Sequence, residues 1–310
     1  MKKILSMLPG RIAEQIMLIP PDTAGTIEEI RIRIGRPLEV IAAGRVLFFP
    51  YAVNEDDAQQ LLNQLSQFSL YMLEEELKRG YITVSGGHRV GLAGKVILEN
   101  GAVKAIRDVS SFNIRIARQK IGASEKLVSL VYQKQWLNTL IIGPPQTGKT
   151  TLLRDLARLI SSGSDKDNIS PRKVGIVDER SEIAGCIKGI PQLELGPRVD
   201  VLDGCPKAEG MMMLIRSMSP EIIVVDEIGR PEDAAAVLEA VNAGIKLMIT
   251  AHGTSLEEIR RRPNMKHILD QNIFERFIEL KREDLPGKIA TVLDGTGNRI
   301  LQEAGGIRSC

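Results

Sequence analysis

The sequence predicts two parts, a small α+β domain over residues 1–120 and an α/β domain over residues 121–310. Three observations carry this expectation. Before residue 120, strand-like stretches of period two are mixed with helical patterns. From Trp136 onward, short apolar runs without alternation appear instead, the mark of parallel strands buried on both faces. Helical stretches fall between those runs, as in an α/β sheet.

In the first part, Ile30-Arg31-Ile32-Arg33-Ile34 alternates apolar and basic residues, which suits a half-buried strand. Leu38–Ala42 and Val46–Phe49 read as a hairpin around Ala43-Gly44-Arg45. Asn54 is placed to cap a helix whose first turn, Glu55-Asp56-Asp57, suits the positive end of the helix dipole. Leu61, Leu62 and Leu65 are its apolar stripe. A second helix is expected near Leu70–Arg79, ending at Gly80. Tyr81–Val84, His88–Leu98 and Phe112–Ala117 read as strands, with Asn100-Gly101 a tight hairpin signal. A helix near Ala123–Gln133 leads into the second part.

There the expected strands are Thr139–Ile142, Val174–Val177, Ile222–Val225 and Leu247–Thr250. The expected helices are Thr150–Ile160, Ala208–Met218 and Pro231–Asn242. Ile289–Leu293 and Arg299–Leu301 flank Gly295-Thr296-Gly297 as a terminal hairpin.

Composition narrows the function. The chain has 310 residues, 43% apolar and 26% charged, enough to bury a core under a charged surface. With 41 basic and 39 acidic residues the net charge is +2, so bulk charge does not point to nucleic acid. Aromatics at 4% argue against a base-stacking platform. Cys186, Cys205 and Cys310 are too sparse for a disulfide framework or a metal knuckle, and read as reduced thiols. Pro9 and Arg11 interrupt the apolar start, and no apolar run approaches the roughly 20 residues that span a bilayer. Any membrane role is expected to be peripheral.

The chemistry concentrates in one octapeptide. Gly143-Pro144-Pro145-Gln146-Thr147-Gly148-Lys149-Thr150 fits G-x-x-x-x-G-K-[ST], between an apolar run and an amphipathic helix. Glycines let backbone N–H groups curl around a phosphate. Lys149 is placed for the β- and γ-phosphates of ATP, Thr150 offers a hydroxyl to Mg²⁺, and Thr151 continues the cradle. A structural Gly/Pro turn is the bland alternative. Ile222-Ile223-Val224-Val225 then ends in Asp226, expected near Mg²⁺, and Glu227, expected to polarise water. Read blandly, these acids cap the next helix. Asp178 and Glu179 end another strand, and either add carboxylates near the γ-phosphate or make salt bridges. His252 follows Leu247–Thr250 and is placed to sense the γ-phosphate, although a lone His is usually structural. Arg89, Arg107, Arg115 and Arg118 lie on or beside strands. Any one of them is either a solvated strand-face charge or an arginine finger.

With these residues in view, the chain resembles the stage III sporulation protein AA family of endospore-forming bacteria. The resemblance rests on Gly86-Gly87-His88-Arg89-Val90-Gly91 and on residues 107–118. It rests also on the octapeptide with Thr151-Leu152-Leu153-Arg154-Asp155, on residues 177–184, and on Asp226-Glu227-Ile228-Gly229-Arg230. It covers nearly the whole length. That family is similar to the ATPases of type II and type IV secretion and of pili. The resemblance implies a RecA-like P-loop ATPase domain preceded by a small α+β domain, assembled as a hexameric ring. It implies work on the mother-cell side of the membrane, in the cytoplasm, at the channel to the forespore and with its membrane-embedded proteins. It also implies that Arg107 and Arg115 complete the nucleotide site, with Asp178 and Glu179 as an acidic box and His252 as a histidine box. The chain departs from secretion ATPases in its shorter N-terminal portion, in lacking a tetracysteine motif, and in a Walker B box ending Asp-Glu without the more usual Gly before its Glu.

The expected function is therefore ATP hydrolysis driving a secretion-type motor. A nucleic-acid-dependent RecA-like ATPase and a nucleotide-gated scaffold with little turnover are the alternatives.

Overall fold

The computed structural model describes residues 2–66, 74–282 and 287–302. The chain divides into two compact units, Met1–Arg118 and Gln119–Cys310.

The first unit begins with α1 (Lys2–Leu5), α2 (Gly10–Met17) and α3 (Pro21–Ala24). Strands and helices then alternate irregularly: β1 (Ile27–Arg33), β2 (Pro37–Ala42), β3 (Arg45–Ala52), α4 (Glu55–Leu65), α5 (Glu74–Arg79), β4 (Tyr81–Val84), β5 (His88–Glu99) and β6 (Ala102–Arg115). The strands form one antiparallel sheet in the order β3-β2-β1-β6-β5-β4. Period two decides which side chains face inward. Ile30 and Ile32 of β1, Val90 of β5, and Phe112 and Ile114 of β6 are buried together with Ile12 and Ile16 of α2 and Leu61 of α4. Arg31, Arg33, Arg89 and Arg115, at the alternate positions, are not buried.

Local signals explain the joints. The Asn54 side chain accepts from the Asp57 N–H at 2.9 Å, and Asp57 accepts from the Asn54 N–H at 3.1 Å, a reciprocal cap that starts α4. Asn100 and Gly101 have φ of 51° and 77°, the left-handed pair of a two-residue hairpin turn between β5 and β6. The strand expected at Phe112–Ala117 starts ten residues earlier, at Ala102, because β6 pairs with β5 along that whole hairpin. Of the helix expected near Leu70–Arg79, Glu74–Arg79 is helical, while residues 70–73 lie outside the described residues.

The second unit opens with a 3₁₀ turn (Glu125–Leu127), α6 (Val128–Val131), β7 (Tyr132–Gln133) and β8 (Gln135–Trp136). The helix expected over Ala123–Gln133 is thus much shorter. Lys134 takes φ 61°, and the chain doubles back so that Tyr132 pairs with Trp136, which is buried.

Then come β9 (Thr139–Gly143), α7 (Lys149–Ser162), β10 (Val174–Asp178), β11 (Val199–Asp203), α8 (Lys207–Ser217), β12 (Ile222–Val225), α9 (Pro231–Asn242) and β13 (Lys246–His252). The chain continues through α10 (Leu256–Arg260), α11 (Pro263–Asp270), β14 (Arg276–Leu280), β15 (Ile289–Asp294) and β16 (Arg299–Gln302). The sheet order is β11-β10-β12-β13-β9-β14-β15-β16. The strands from β11 to β14 in that order run parallel, and β15 and β16 close the edge antiparallel. Every residue of β9, β10 and β12 is buried, as expected of central strands whose apolar runs are interrupted only at their ends, by Thr139 and Asp178.

This order positions the site. β13 lies between β9, which leads into the octapeptide, and β12, which is followed directly by Asp226. Parallel strands end at one edge, and ligands of α/β sheets bind there. Among the described residues no helix is long and apolar enough to cross a membrane.

Candidate active site

The octapeptide runs from the end of β9 into α7. Gly143 has no room for a side chain, since a Cβ there would lie 2.5 Å from Thr147 Oγ1 and 3.2 Å from Leu280 Cβ. Gly148 precedes α7 with φ 87°, and Gln146 has φ 65°. The loop therefore curls back on itself, pinned by Thr147 Oγ1 donating to the Pro144 carbonyl at 2.8 Å. Pro144, Pro145 and Thr151 complete the turn and the first helical residues. The first N–H groups of an α-helix have no partner within it, so α7 opens as a concave set of donors.

Lys149 is 5% exposed, and its Nζ donates to the carbonyls of Gly143 at 2.8 Å and Pro144 at 3.1 Å. Glu227 Oε1 lies 3.6 Å from the same nitrogen, and Arg180 stands 3.9 Å from the other Glu227 oxygen. A buried ammonium folded over an anion-shaped loop fits a phosphate. Thr150 Oγ1 donates to Asp226 Oδ2 at 2.7 Å. Among the described residues no cluster of three or more His, Cys, Asp or Glu could cage a metal. A hydroxyl beside a single carboxylate fits Mg²⁺ instead, which keeps several waters and takes further oxygens from phosphate.

Thr250 is not singled out by sequence reasoning, yet it ties the site together. It is fully buried on β13, and its hydroxyl donates to Asp226 Oδ1 while accepting from the Glu227 N–H at 2.8 Å. Register dictates this, because Val225 pairs with Ile249 and the next residues are Asp226 and Thr250. Glu227 takes φ 51°, a left-handed conformation uncommon for a side-chain-bearing residue, which turns its half-exposed carboxylate toward Lys149. The one signal in the sequence is a polar residue closing the apolar run Leu247–Ile249, and it does not distinguish Thr250 from His252.

His252 ends β13 and is exposed, with Gly143 beside it in register. Its carbonyl accepts from Arg262. Asp178, at the end of β10, accepts the N–H groups of Glu182, Ile183 and Ala184 at 2.8, 3.0 and 2.8 Å. Burial pushes its carboxyl up, against the pull of those amides. From the other side, Arg154 on α7 donates to the carbonyls of Ile183 at 2.6 Å and Glu182 at 2.5 Å. Glu179 bonds to Lys207, with Arg230 3.4 Å away. Burial would raise its carboxyl, but the Lys207 ammonium outweighs that and holds it below the ordinary value. Asp178, Glu179, Glu182, Asp226 and Glu227 line one cavity with Arg180 and Lys207. Of the predicted residues, then, Lys149, Thr150, Asp226 and Glu227 come together, Glu179 shares their cleft, and His252 stands at the strand end. Arg107 and Arg115 belong to the first unit, both exposed on β6, with Lys95 and Arg89 as their β5 partners.

Comparison with known proteins agrees with this architecture. In space the chain is similar to the ATPase DotB of Legionella pneumophila, with a TM-score of 0.60 over 92% of this chain and 80% of that one, at 17% identity. It is likewise similar to the pilus retraction motor PilT with bound ADP, with a TM-score of 0.59 over 98% and 84% of the two chains, at 19% identity. At these identities the likeness establishes the fold, a RecA-like P-loop ATPase unit preceded by an α+β unit. In sequence, stage III sporulation protein AA of Bacillus subtilis (strain 168) is 55% identical over 310 residues, 100% of both chains. The ycf45 protein of Cyanidium caldarium is 31% identical over 162 residues, 51% of this chain and 45% of that one. The family model described as sporulation stage III, protein AA matches residues 1–300. On a match of that extent, the chain belongs to the sporulation stage III protein AA family.

Proposed function

We propose that this protein binds ATP with Mg²⁺ and hydrolyses it, and that the hydrolysis drives a secretion-type motor supporting the mother cell–forespore channel during endospore formation. One observation carries the catalytic reading: the Lys149 ammonium, the Thr150–Asp226–Thr250 hydroxyl–carboxylate chain and the Glu227 carboxylate converge where β9, β12 and β13 end.

In this reading the loop from Gly143 to Thr151 wraps the phosphates and Lys149 leaves its two carbonyls for them. Thr150 and Asp226 would hold the Mg²⁺. The bound cation supplies charge neutralisation on the phosphate oxygens. Glu227 orients a water in line with the γ-phosphorus and accepts its proton as the bond to the bridging oxygen breaks. Thr250 holds both acids in place through one hydroxyl. Glu179 lends its charge to the cleft, and His252 reports the state of the γ-phosphate along β13. Arg107 and Arg115 neutralise charge that builds on the transferred phosphoryl group.

Residues 1–120 and 121–310 are, in the same reading, the two working domains. The assembly is a hexameric ring, peripheral to the membrane on the mother-cell side and docked on membrane-embedded channel proteins, without nucleic acid. The family and the ATPase fold support these assignments.

The test is turnover of the purified protein with ATP and Mg²⁺. Glu227→Gln is expected to lower phosphate release at least a hundredfold while nucleotide stays bound, since a positioned general base contributes about 10²–10⁴ in rate. Unchanged turnover in that variant would remove the catalytic reading and leave a nucleotide-gated scaffold.

A further inference from the structure

β14, which the sequence pattern conceals, brings one more cation to the phosphate edge. It runs parallel to β9, with Glu279 opposite Ile142, so both strands end at the same place. Leu280, the last residue of β14, sits against Gly143 so closely that a Cβ on that glycine would be 3.2 Å from its own. The chain leaving Leu280 must therefore emerge beside the octapeptide.

Its next two residues are Lys281 and Arg282. Arg282 is exposed, and its guanidinium donates to Gln146 Oε1 at 3.2 Å, reaching the middle of the octapeptide. The returning arm grips the same loop, because the Gly287 N–H donates to the Thr147 carbonyl at 2.7 Å. Lys281 N–H to Lys288 carbonyl, at 3.1 Å, closes the two arms into a hairpin. Two successive residues of the phosphate loop are thus each bonded to the β14–β15 hairpin.

We propose that Arg282 is a nucleotide-contacting residue, supplied by the β14–β15 hairpin of the same chain, which exchanges the Gln146 carboxamide for the phosphate oxygens of the bound nucleotide. This rests on the reading of the octapeptide as a phosphate cradle. The bond to Gln146 is to a neutral acceptor at the solvent-exposed surface, whereas a phosphate oxygen carries the opposite charge and adds a Coulombic attraction that the carboxamide lacks. A planar fork can also serve two phosphate oxygens at once. The exchange costs little movement, because Gln146 itself belongs to the loop that holds the phosphates.

The experiment is ADP binding to the full chain in Mg²⁺, followed by calorimetry at several salt concentrations. Wild type, Arg282→Ala, Arg282→Gln, Arg282→Lys and Lys149→Ala are compared, with thermal unfolding to check folding. The exposed position of residue 282 leaves the fold intact. The proposal expects Arg282→Ala and Arg282→Gln to weaken ADP about tenfold, roughly one charge-assisted bond. It expects both to flatten the salt dependence of affinity, because a screened charge pair has gone, and Arg282→Lys to restore that dependence. If Arg282 only braces Gln146, Arg282→Gln leaves the salt dependence as in wild type, and the proposal falls. If Lys149→Ala loses ADP while every Arg282 variant stays within twofold of wild type, the proposal alone falls. If wild type binds no ADP, or Lys149→Ala binds as well as wild type, the cradle reading falls and takes the proposal with it.

Discussion

A single hydroxyl, that of Thr250, sets the geometry of both acids in the candidate site. It donates to Asp226 and accepts from the Glu227 backbone, so removing it leaves the carboxylate held by Thr150 alone and orphans a backbone donor. Thr250→Val keeps the shape and deletes the oxygen. Hydrogen bonds to charged groups contribute about 1.5–3 kcal/mol, and each 1.4 kcal/mol of barrier is about tenfold in rate. Turnover is therefore expected to fall roughly 10- to 100-fold, with ADP affinity little changed because the phosphate loop is untouched. Steady-state phosphate release beside ADP titration checks this, and equal losses in both would place Thr250 in binding instead. Such a residue is hard to read from sequence. Lys149 and Thr150 are legible because glycines and a lysine at set spacing have no common structural use together. Thr250 sits in an apolar run where a threonine is ordinary, and only the neighbouring strand gives it a role.

At the scale of elements, α7 does more than carry the cradle. Asp155, nearly two turns into that helix, accepts from the Gly122 N–H at 3.1 Å, the Ser124 N–H at 2.8 Å and the Ser124 hydroxyl at 2.7 Å. It also pairs with Arg158 at 2.8 Å. Burial alone would raise its carboxyl, yet the Ser124 donors and Arg158 hold it below the ordinary value. A carboxylate depressed on folding contributes stability that is complete above its unfolded pKa, about 4, and is lost as pH falls through the folded value. Asp155→Asn is thus expected to cost about 2 kcal/mol at pH 7, a gap that narrows below about pH 4. Denaturant unfolding at both pH values measures it, and a gap independent of pH would show that the charge is not what matters.

Elements are legible wherever packing and pattern agree. The buried runs of β9, β10, β12 and β13 and the Asn100-Gly101 turn are cases of this. β11 escapes sequence reading because Val199–Asp203 carries aspartates on an edge strand, which resembles a loop. β14 escapes it because Arg276 begins the strand. That arginine is buried in the fold, where its Nε donates to the Leu130 carbonyl at 2.6 Å, a partner 146 positions away.

At the scale of the whole molecule, the proposal gives Arg107 and Arg115 a part in turnover. Arg107→Ala and Arg115→Ala are each expected to reduce turnover at least tenfold, the lower range for a missing arginine finger being larger still. Mixing decides whose arginine serves. Arg115→Ala and Glu227→Gln chains, each nearly inactive alone, should regain turnover when combined if one copy completes the site of another. Mixtures as inactive as their parts would mean that every chain completes its own site.

The position of β9 also bears on how the chain is made. Its two partners, β13 and β14, both lie far downstream, and the side chain of Asn138, just before it, accepts from the Leu247 N–H, 109 positions later. As the polypeptide leaves the ribosome, the strand that will carry the cradle has no neighbour to pair with for most of the second unit's synthesis. Its apolar side chains wait for non-local contacts, which are the slow ones to form. The loop that follows β9 therefore gains its flanking strands only once β13 and β14 have been made.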